Sequence, residues 1–275
     1  MRIARTIEEA RRAVAQLERP LGFVPTMGAL HAGHLRLVER CHDQCAASVV
    51  SIFVNPAQFG PQEDFDRYPR DETGDRGKLQ TAGVSLLFSP ATDEMYPGGF
   101  CASVDAGPVA LRYEGQARPG HFRGVATIVT KLLHVIRPDV LYVGQKDAQQ
   151  AVVLRKVIHD LDFGVRVEIV PTVRETDGLA FSSRNAYLTP EQRAAAPSLH
   201  RTLHAMLGSL RSGLDADASR ARAKQELREP GHLEYLDVVD AGTFEPLAAL
   251  SGPAFVIAAA RFGGTRLIDN IMVPE

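Results

Sequence analysis

Apolar residues recur at helical spacing over 6–19, TIEEARRAVAQLER, where Ala10, Val14 and Leu17 form one stripe. Thr6 followed three places later by Glu9 has the form of a capping box, and Pro20 ends the predicted helix. The period then changes. LGFVPT predicts a short strand, a Gly- and His-rich loop follows, and an amphipathic helix is expected around 34–46. ASVVSIFV at 47–54 is almost uniformly apolar and β-branched, as in a strand covered on both faces of a parallel sheet. Strand, loop, helix and strand in this order make a βαβ unit.

The same logic places further strands at 84–90, 140–144 and 165–173, with helices at 121–136 and 147–159. In the first of these helices Val125, Ile128, Val129, Leu132 and Ile136 share a face, and Pro138 closes it. Residues 97–120 are rich in Gly and Pro and are expected to form a long functional loop. After residue 184 two helical stretches, 190–208 and 215–228, precede LEYLDVV, AFVIAAARF and TRLIDNIMV. Partial alternation in the last predicts a small sheet with one wet face. The expected fold class is α/β. A Rossmann-like, doubly wound parallel sheet should occupy 1–180, and a smaller α+β C-terminal lid domain 181–275, with the boundary within 174–188.

Composition narrows the partners more than the fold. The 275 residues are 45% hydrophobic and 23% charged, with 31 Lys and Arg against 33 Asp and Glu. A formal net charge of −2 asks for neither nucleic acid nor an anionic membrane as partner. The N-terminus lacks the apolar region of a secretory signal, and no apolar run approaches the roughly 18 residues of a membrane span. Cys41, Cys45 and Cys101 cannot build a disulfide framework, which points to reduced thiols and a cytoplasmic location. Cys41 and Cys45, four apart, read as apolar positions on one helix face rather than as metal ligands.

The densest local signal is PTMGALHAGH, 25–34, where a strand hands over to a helix. Gly28 permits close backbone approach or a positive φ, and Gly33 keeps the helix entrance clear. Helix N-terminal N–H groups attract phosphate, and His31 and His34, three apart, share a face from which both can donate to phosphate oxygens. The plainer reading is a pair of surface or capping histidines. A zinc pair lacks a nearby third ligand. The loop is neither GxGxxG nor GxxxxGK[ST], which disfavours a dinucleotide fold or P-loop kinase.

Three more clusters follow strands of the same sheet, so they are expected to converge on one crevice. VNPAQFG brings Asn55 and Gln58, GQKDAQQ brings Lys146, Asp147 and Gln150, and FSSRN brings Ser182, Ser183 and Arg184. Neutral amides suit hydroxyl or carboxylate oxygens, while lysine, arginine and hydroxyls suit a polyphosphate. Taken alone, each cluster is also an ordinary turn. RPGHFRG, 118–124, is expected at the mouth of the site or as a mobile flap, though His121 reads equally as a helix-start residue. FDRYPRD, 65–71, reads as a solvated, salt-bridged surface.

Together these motifs resemble the pantoate–β-alanine ligase (pantothenate synthetase) family. PTMGALHAGH, VNPAQFG, RYPR, RPGHFRGV, LYVGQKDAQQ, PTVRE and SSRN occur in family order over 25–185, and the histidine loop is similar to the HIGH-type signature of the wider nucleotidylyl-transferase superfamily. The resemblance implies ATP-dependent joining of (R)-pantoate to β-alanine, through a non-covalent pantoyl adenylate, to give pantothenate, AMP and pyrophosphate. It implies ATP contacts at Met27, Gly28, Ala29, Leu30, His31, Ala32, Gly33 and His34, at Gly144, Gln145, Lys146 and Asp147, and at Val173, Phe181, Ser182, Ser183 and Arg184. Pantoate or β-alanine contacts fall on Asn55, Gln58 and Gln150. His31, His34, Lys146 and Arg184 carry the catalytic charges, with His34 as general acid. A cytoplasmic homodimer is implied. So is a need for Mg²⁺, carried mainly by the ATP phosphates with no protein metal ligand assigned.

Phe181 departs from the Met or Leu usual before SSR in this family, which bears on ATP affinity and not on reaction class. Shielding of the mixed anhydride from water is expected from the 112–124 loop or the C-terminal domain. Two other readings use the same histidine loop. A nucleotidylyl-transferase would leave AMP or CMP on a phosphorylated acceptor and would need basic residues where Gln58 and Gln150 stand. A nucleotide-binding regulator would show no turnover.

Overall fold

The computed structural model describes residues 1–61 and 63–274. The chain forms two compact units, Met1–Gly144 with Val153–Val170, and Gln145–Val152 with Pro171–Glu275. The helices of the sheet region are α1 (Ile7–Val14), α2 (Ala32–Gln44), α3 (Glu72–Thr81), α4 (Thr92–Met95), α5 (Glu114–Ala117), α6 (His121–Ile136) and α7 (Ala148–Asp160). The strands are β1 (Arg2–Ala4), β2 (Leu21–Thr26), β3 (Ala47–Ile52), β4 (Leu86–Phe88), β5 (Val140–Gly144) and β6 (Arg166–Val170). They form one parallel sheet in the order β1-β4-β3-β2-β5-β6. The doubly wound expectation holds. β1 was not foreseen, because three residues are too few to show a period.

The central strands are apolar because they are covered on both faces. Phe23, Val24, Val49, Val50 and Leu141 have no measurable exposure, and each such side chain contributes about 1.5–3 kcal/mol of burial. Gly22 is required for α2 to reach the sheet, since a Cβ there would lie 2.2 Å from Cys41 Sγ. Cys41 is buried in that contact, and its thiol is pushed up to about 12, chiefly by burial and then by Cys45. Cys41 is the apolar helix position that the spacing predicted, whereas Cys45 is the extended C-cap residue just past α2, partly buried against the same core.

Strand order reverses at β2. From it the chain runs to β3 and β4 on one side, while β5 and β6 lie on the other. β2 pairs with β3 over its whole length, from Leu21↔Ala47 to Thr26↔Ile52, but with β5 only at Gly22↔Val140 and Phe23↔Leu141. The carboxyl end of β2 is thus unpaired on its β5 side, at the topological switch point where ligands bind in such sheets.

The second unit holds an antiparallel sheet of β7 (Gly231–Asp240), β8 (Ala254–Phe262) and β9 (Thr265–Val273). Its helices are α8 (Pro190–Ala195), α9 (Ser198–Arg211) and α10 (Ala216–Ala223). Leu199, Leu203, Met206 and Leu210 of α9 join Val256, Ala258 and Ala260 of β8 in one core. One wet face describes β7 and β9, which alternate. β8 is buried along nearly all its length, so its run reads as continuous apolar. The expected 190–208 helix is two helices, because Pro197 cannot continue α8 and serves as the N-cap residue of α9. Among the described residues no helix is long and apolar enough to cross a membrane.

Candidate active site

The histidine loop leaves β2 at Thr26, whose hydroxyl donates to the Ser51 carbonyl at 2.7 Å and accepts from the Gly28 N–H at 3.2 Å. The backbone then turns through positive φ at Gly28 (82°) and Ala29 (50°), so the glycine is a conformational requirement. Leu30 is gripped on both sides. Its N–H donates to Asp75 Oδ1 and its carbonyl accepts from Lys78 Nζ, each at 2.7 Å.

His31 is the N-cap of α2, and its Nδ1 accepts from the Gly33 N–H at 3.1 Å. His34 reaches back, its Nδ1 accepting from the His31 N–H at 3.4 Å. The rings lie 4.1 Å apart, centroid to centroid. Because both Nδ1 atoms accept, the ring proton of each neutral imidazole resides on Nε2. The capping and phosphate-facing readings of this pair are therefore compatible: capping sets the tautomer that leaves each Nε2 a donor.

Asn55 caps the 3-10 turn Pro56–Gln58 after β3 and Gln58 ends it; they are 1% and 8% exposed. Gln58 Nε2 donates to Met27 Sδ at 3.0 Å, which joins this turn to the histidine loop. The backbone of Gln58 is held as well. His121 Nδ1 lies 2.9 Å from its carbonyl oxygen, and Arg118 Nη2 donates to the same oxygen at 3.3 Å. Burial, with Arg118 second, pushes His121 down to about 4, so the ring is neutral near pH 7. A neutral ring facing a carbonyl carries its proton on Nδ1, leaving Nε2 to accept from Arg118 Nη1 at 3.1 Å. Arg118 also makes a two-point ion pair with Glu63, at 2.9 and 2.5 Å. These bonds make 118–121 a clamp on the Gln58 turn. The expected open loop at 97–120 contains a 3-10 segment, Gly107–Ala110, and the single turn α5.

Segment 65–71 keeps its charges in solvent, as expected of it: Asp66, Arg67, Arg70 and Asp71 are all exposed. Arg70 donates to the carbonyls of Phe65, Asp66 and Tyr68, Asp71 caps α3 through the Gly74 N–H at 2.9 Å, and Tyr68 is buried against Phe59. Arg70 and Asp71 thus bond to nearby backbone while staying in solvent, and Tyr68 alone turns inward.

In the second unit Gln145–Asp147 form a 3-10 turn that presents Lys146, with Asp147 3.6 Å from its ammonium. Asn270 of β9, 1% exposed, donates to the carbonyls of Gln145 (2.8 Å) and Lys146 (2.9 Å) and accepts from Gln145 Nε2 (3.1 Å). The Phe181 N–H donates to the Val173 carbonyl at 3.1 Å, and Arg174 pairs with Ala180 in an antiparallel bridge. Val173 and Phe181, far apart in their motifs, are thus neighbours. Ser182 caps the 3-10 turn Ser183–Tyr187 through the Arg184 N–H at 3.2 Å. Lys146, Ser182, Asn185, His200 and Asp269 line one cleft of this unit. Gln150 lies half-buried on α7. Arg118 stood in a quoted motif, whereas Asp75, Tyr96 and Asn270 had no local signal as site-supporting residues.

Among the described residues no three His, Cys, Asp or Glu side chains cluster as a metal cage. Lys146 and the histidine donors suit the oxygens of a triphosphate, which can itself carry magnesium.

The family model described as pantoate-beta-alanine ligase matches residues 2–272. Pantothenate synthetases of Rhizorhabdus wittichii and Chloroflexus aggregans are 49% and 52% identical, each over 278 aligned residues. The alignments cover 99% and 98% of this chain and 99% of each relative. The crystal structure of pantothenate synthetase from Thermus thermophilus superposes with a TM-score of 0.94 at 48% identity and covers 100% of both chains. The Francisella tularensis pantoate-beta-alanine ligase, complexed with beta-gamma ATP and beta-alanine, gives 0.81 at 31% identity, covering 99% of this chain and 97% of that one.

Proposed function

The chain belongs to the pantoate–β-alanine ligase family, and from that premise we propose which of its residues carry the family's reaction. It is an ATP-dependent ligase that condenses pantoate with β-alanine to pantothenate through pantoyl adenylate. The chemistry has two stages. A pantoate carboxylate oxygen attacks the α-phosphorus of ATP in line and pyrophosphate departs. The β-alanine amine then attacks the activated carbonyl and AMP leaves.

In the first stage negative charge shifts toward the departing pyrophosphate. His31 and His34 meet it with Nε2–H donors at the N-terminus of α2, where the helix adds its own positive end. The observation that carries this assignment is the pair of Nδ1 acceptors, 3.1 and 3.4 Å from backbone N–H groups. His34, to which the family resemblance gives the general acid role, offers its Nε2–H to the leaving pyrophosphate as a hydrogen-bond donor. Lys146 and Arg184 supply point and planar positive charge to the same polyphosphate. Residues 27–34, 144–147, Val173 and 181–184 make up the nucleotide contacts, with Val173 and Phe181 walling the adenosine. Gln58, Gln150 and Asn55 serve pantoate and β-alanine, because neutral amides match a carboxylate and hydroxyls and lack the charge a phosphorylated acceptor would need.

Magnesium bound to the ATP phosphates would offset part of their charge and order the leaving group. Lys146 and the two histidines address the remaining phosphate charge. A cytoplasmic location agrees with the free thiols of Cys41, Cys45 and Cys101. Homodimeric assembly rests on the family alone.

The test is single-turnover adenylate formation by wild type, His34→Ala and Lys146→Ala with MgATP and pantoate. A loss of about 10²–10³ in the rate for His34→Ala is expected, the scale set by removing one transition-state donor. Unchanged adenylation in either variant would remove that residue from the mechanism.

A further inference from the structure

The orientation of the Gln58 side chain is set by a relay that begins outside the motifs quoted above. Asn55 has all its polar atoms engaged. Its Oδ1 accepts from the Tyr96 hydroxyl at 2.7 Å and from the Ala57 N–H at 3.3 Å. Its Nδ2 donates to the Gly124 carbonyl at 3.1 Å and to Gln58 Oε1 at 3.0 Å. A backbone N–H only donates and a backbone carbonyl only accepts, so Ala57 and Gly124 allow the buried Asn55 amide one orientation. Gly124 can serve because it has no side chain: a Cβ there would lie 2.2 Å from the Ala57 oxygen.

That orientation dictates the next amide. Asn55 offers Gln58 an N–H, so Gln58 turns its oxygen inward and its NH₂ toward Met27. A thioether is a weak acceptor and engages only one of the two hydrogens. The Gln58 amide thus presents its second N–H as a donor to the substrate side.

We infer that Tyr96 is a positioning residue of the ligase: its hydroxyl anchors Asn55, which holds Gln58 with its NH₂ group toward a pantoate oxygen. The inference rests on the proposed pantoate contact at Gln58. The shortest bond in the relay is the one Tyr96 makes, and without it Asn55 Oδ1 keeps only the 3.3 Å bond to Ala57. Tyr96 is itself fixed by Phe100 and Phe53, with ring centroids 5.1 and 6.2 Å away, and Lys131 Nζ lies 5.5 Å from the centroid of its ring. Burial pushes its hydroxyl up to about 12, so it remains a protonated donor at neutral pH.

Steady-state kinetics with each substrate varied in turn, on wild type, Tyr96→Phe, Gln58→Ala and the double variant, test the relay. Phe keeps every ring contact, so a purely packing role leaves all KM values unchanged. The relay instead raises KM for pantoate about tenfold in Tyr96→Phe, the scale of one lost hydrogen bond, with KM for ATP within about twofold. In the Gln58→Ala background the same change then adds nothing. A wild-type KM for pantoate in Tyr96→Phe, with KM raised in Gln58→Ala, would overturn the relay and leave the pantoate contact standing. No change in Gln58→Ala would remove the contact itself, and the relay with it.

Discussion

Asp75 of α3 accepts a 2.7 Å hydrogen bond from the backbone N–H of Leu30, 45 residues earlier, in the middle of the histidine loop. Lys78, one turn further along α3, donates to the carbonyl of the same residue and lies 3.5 Å from Asp75. The loop has positive φ at two consecutive residues and would wander if left to itself. The Asp75–Lys78 pair holds its next residue by both backbone groups, immediately before the capping histidine.

Asp75→Ala leaves the buried Leu30 N–H without its acceptor. A loss of about 1–3 kcal/mol in urea unfolding is expected, with a fall in kcat/KM of at least about tenfold as the histidines lose their platform. Wild-type kinetics in a destabilised Asp75→Ala protein would show that the loop keeps its geometry without the clamp.

His31 has a structural and a chemical role that one substitution separates. Asparagine is a strong N-cap, so His31→Asn preserves an acceptor for the first turn of α2 and unfolding stability within about 0.5 kcal/mol. The imidazole Nε2–H is lost, and adenylation should slow about a hundredfold. Equal loss of stability and rate would mean that capping is all His31 does.

His121 gives a pH signature. Its folded value of about 4 lies below the ordinary 6.5, so the unfolded chain binds more protons between those values. Its contribution is therefore complete above about pH 6.5 and is lost as pH falls toward 4, amounting to a few kcal/mol at most. His121→Gln should flatten the stability slope across that window relative to wild type. Identical slopes in urea melts from pH 4 to 7 would contradict the assignment of a buried neutral ring.

Asn270 makes three hydrogen bonds to the turn that presents Lys146. Asn270→Ala should raise KM for ATP several-fold while leaving KM for β-alanine unchanged, since the turn carries phosphate-facing charge. A KM for ATP equal to wild type would mean the turn is rigid without β9.

The loop histidines, Asn55, Gln58, Lys146 and the 181–184 segment could be singled out as candidates because each sits in a short local pattern whose chemistry follows from neighbours in the chain. The parallel strands were legible because burial on both faces leaves a continuous apolar run. What holds the site was not. Asp75, Tyr96 and Asn270 act on partners 45, 41 and about 125 residues away, and an Asp in a helix or an Asn in a strand announces no partner. Pro197 was readable as a helix break, but the amphipathic pattern running through it hid the interruption.

The most direct test of the central claim is a mass-resolved product assay with ATP, Mg²⁺ and (R)-pantoate, run with and without β-alanine. The expected result is pantothenate and AMP in equal amounts only when β-alanine is present, with enzyme-bound pantoyl adenylate accumulating in its absence. ATP left intact in both reactions would contradict it.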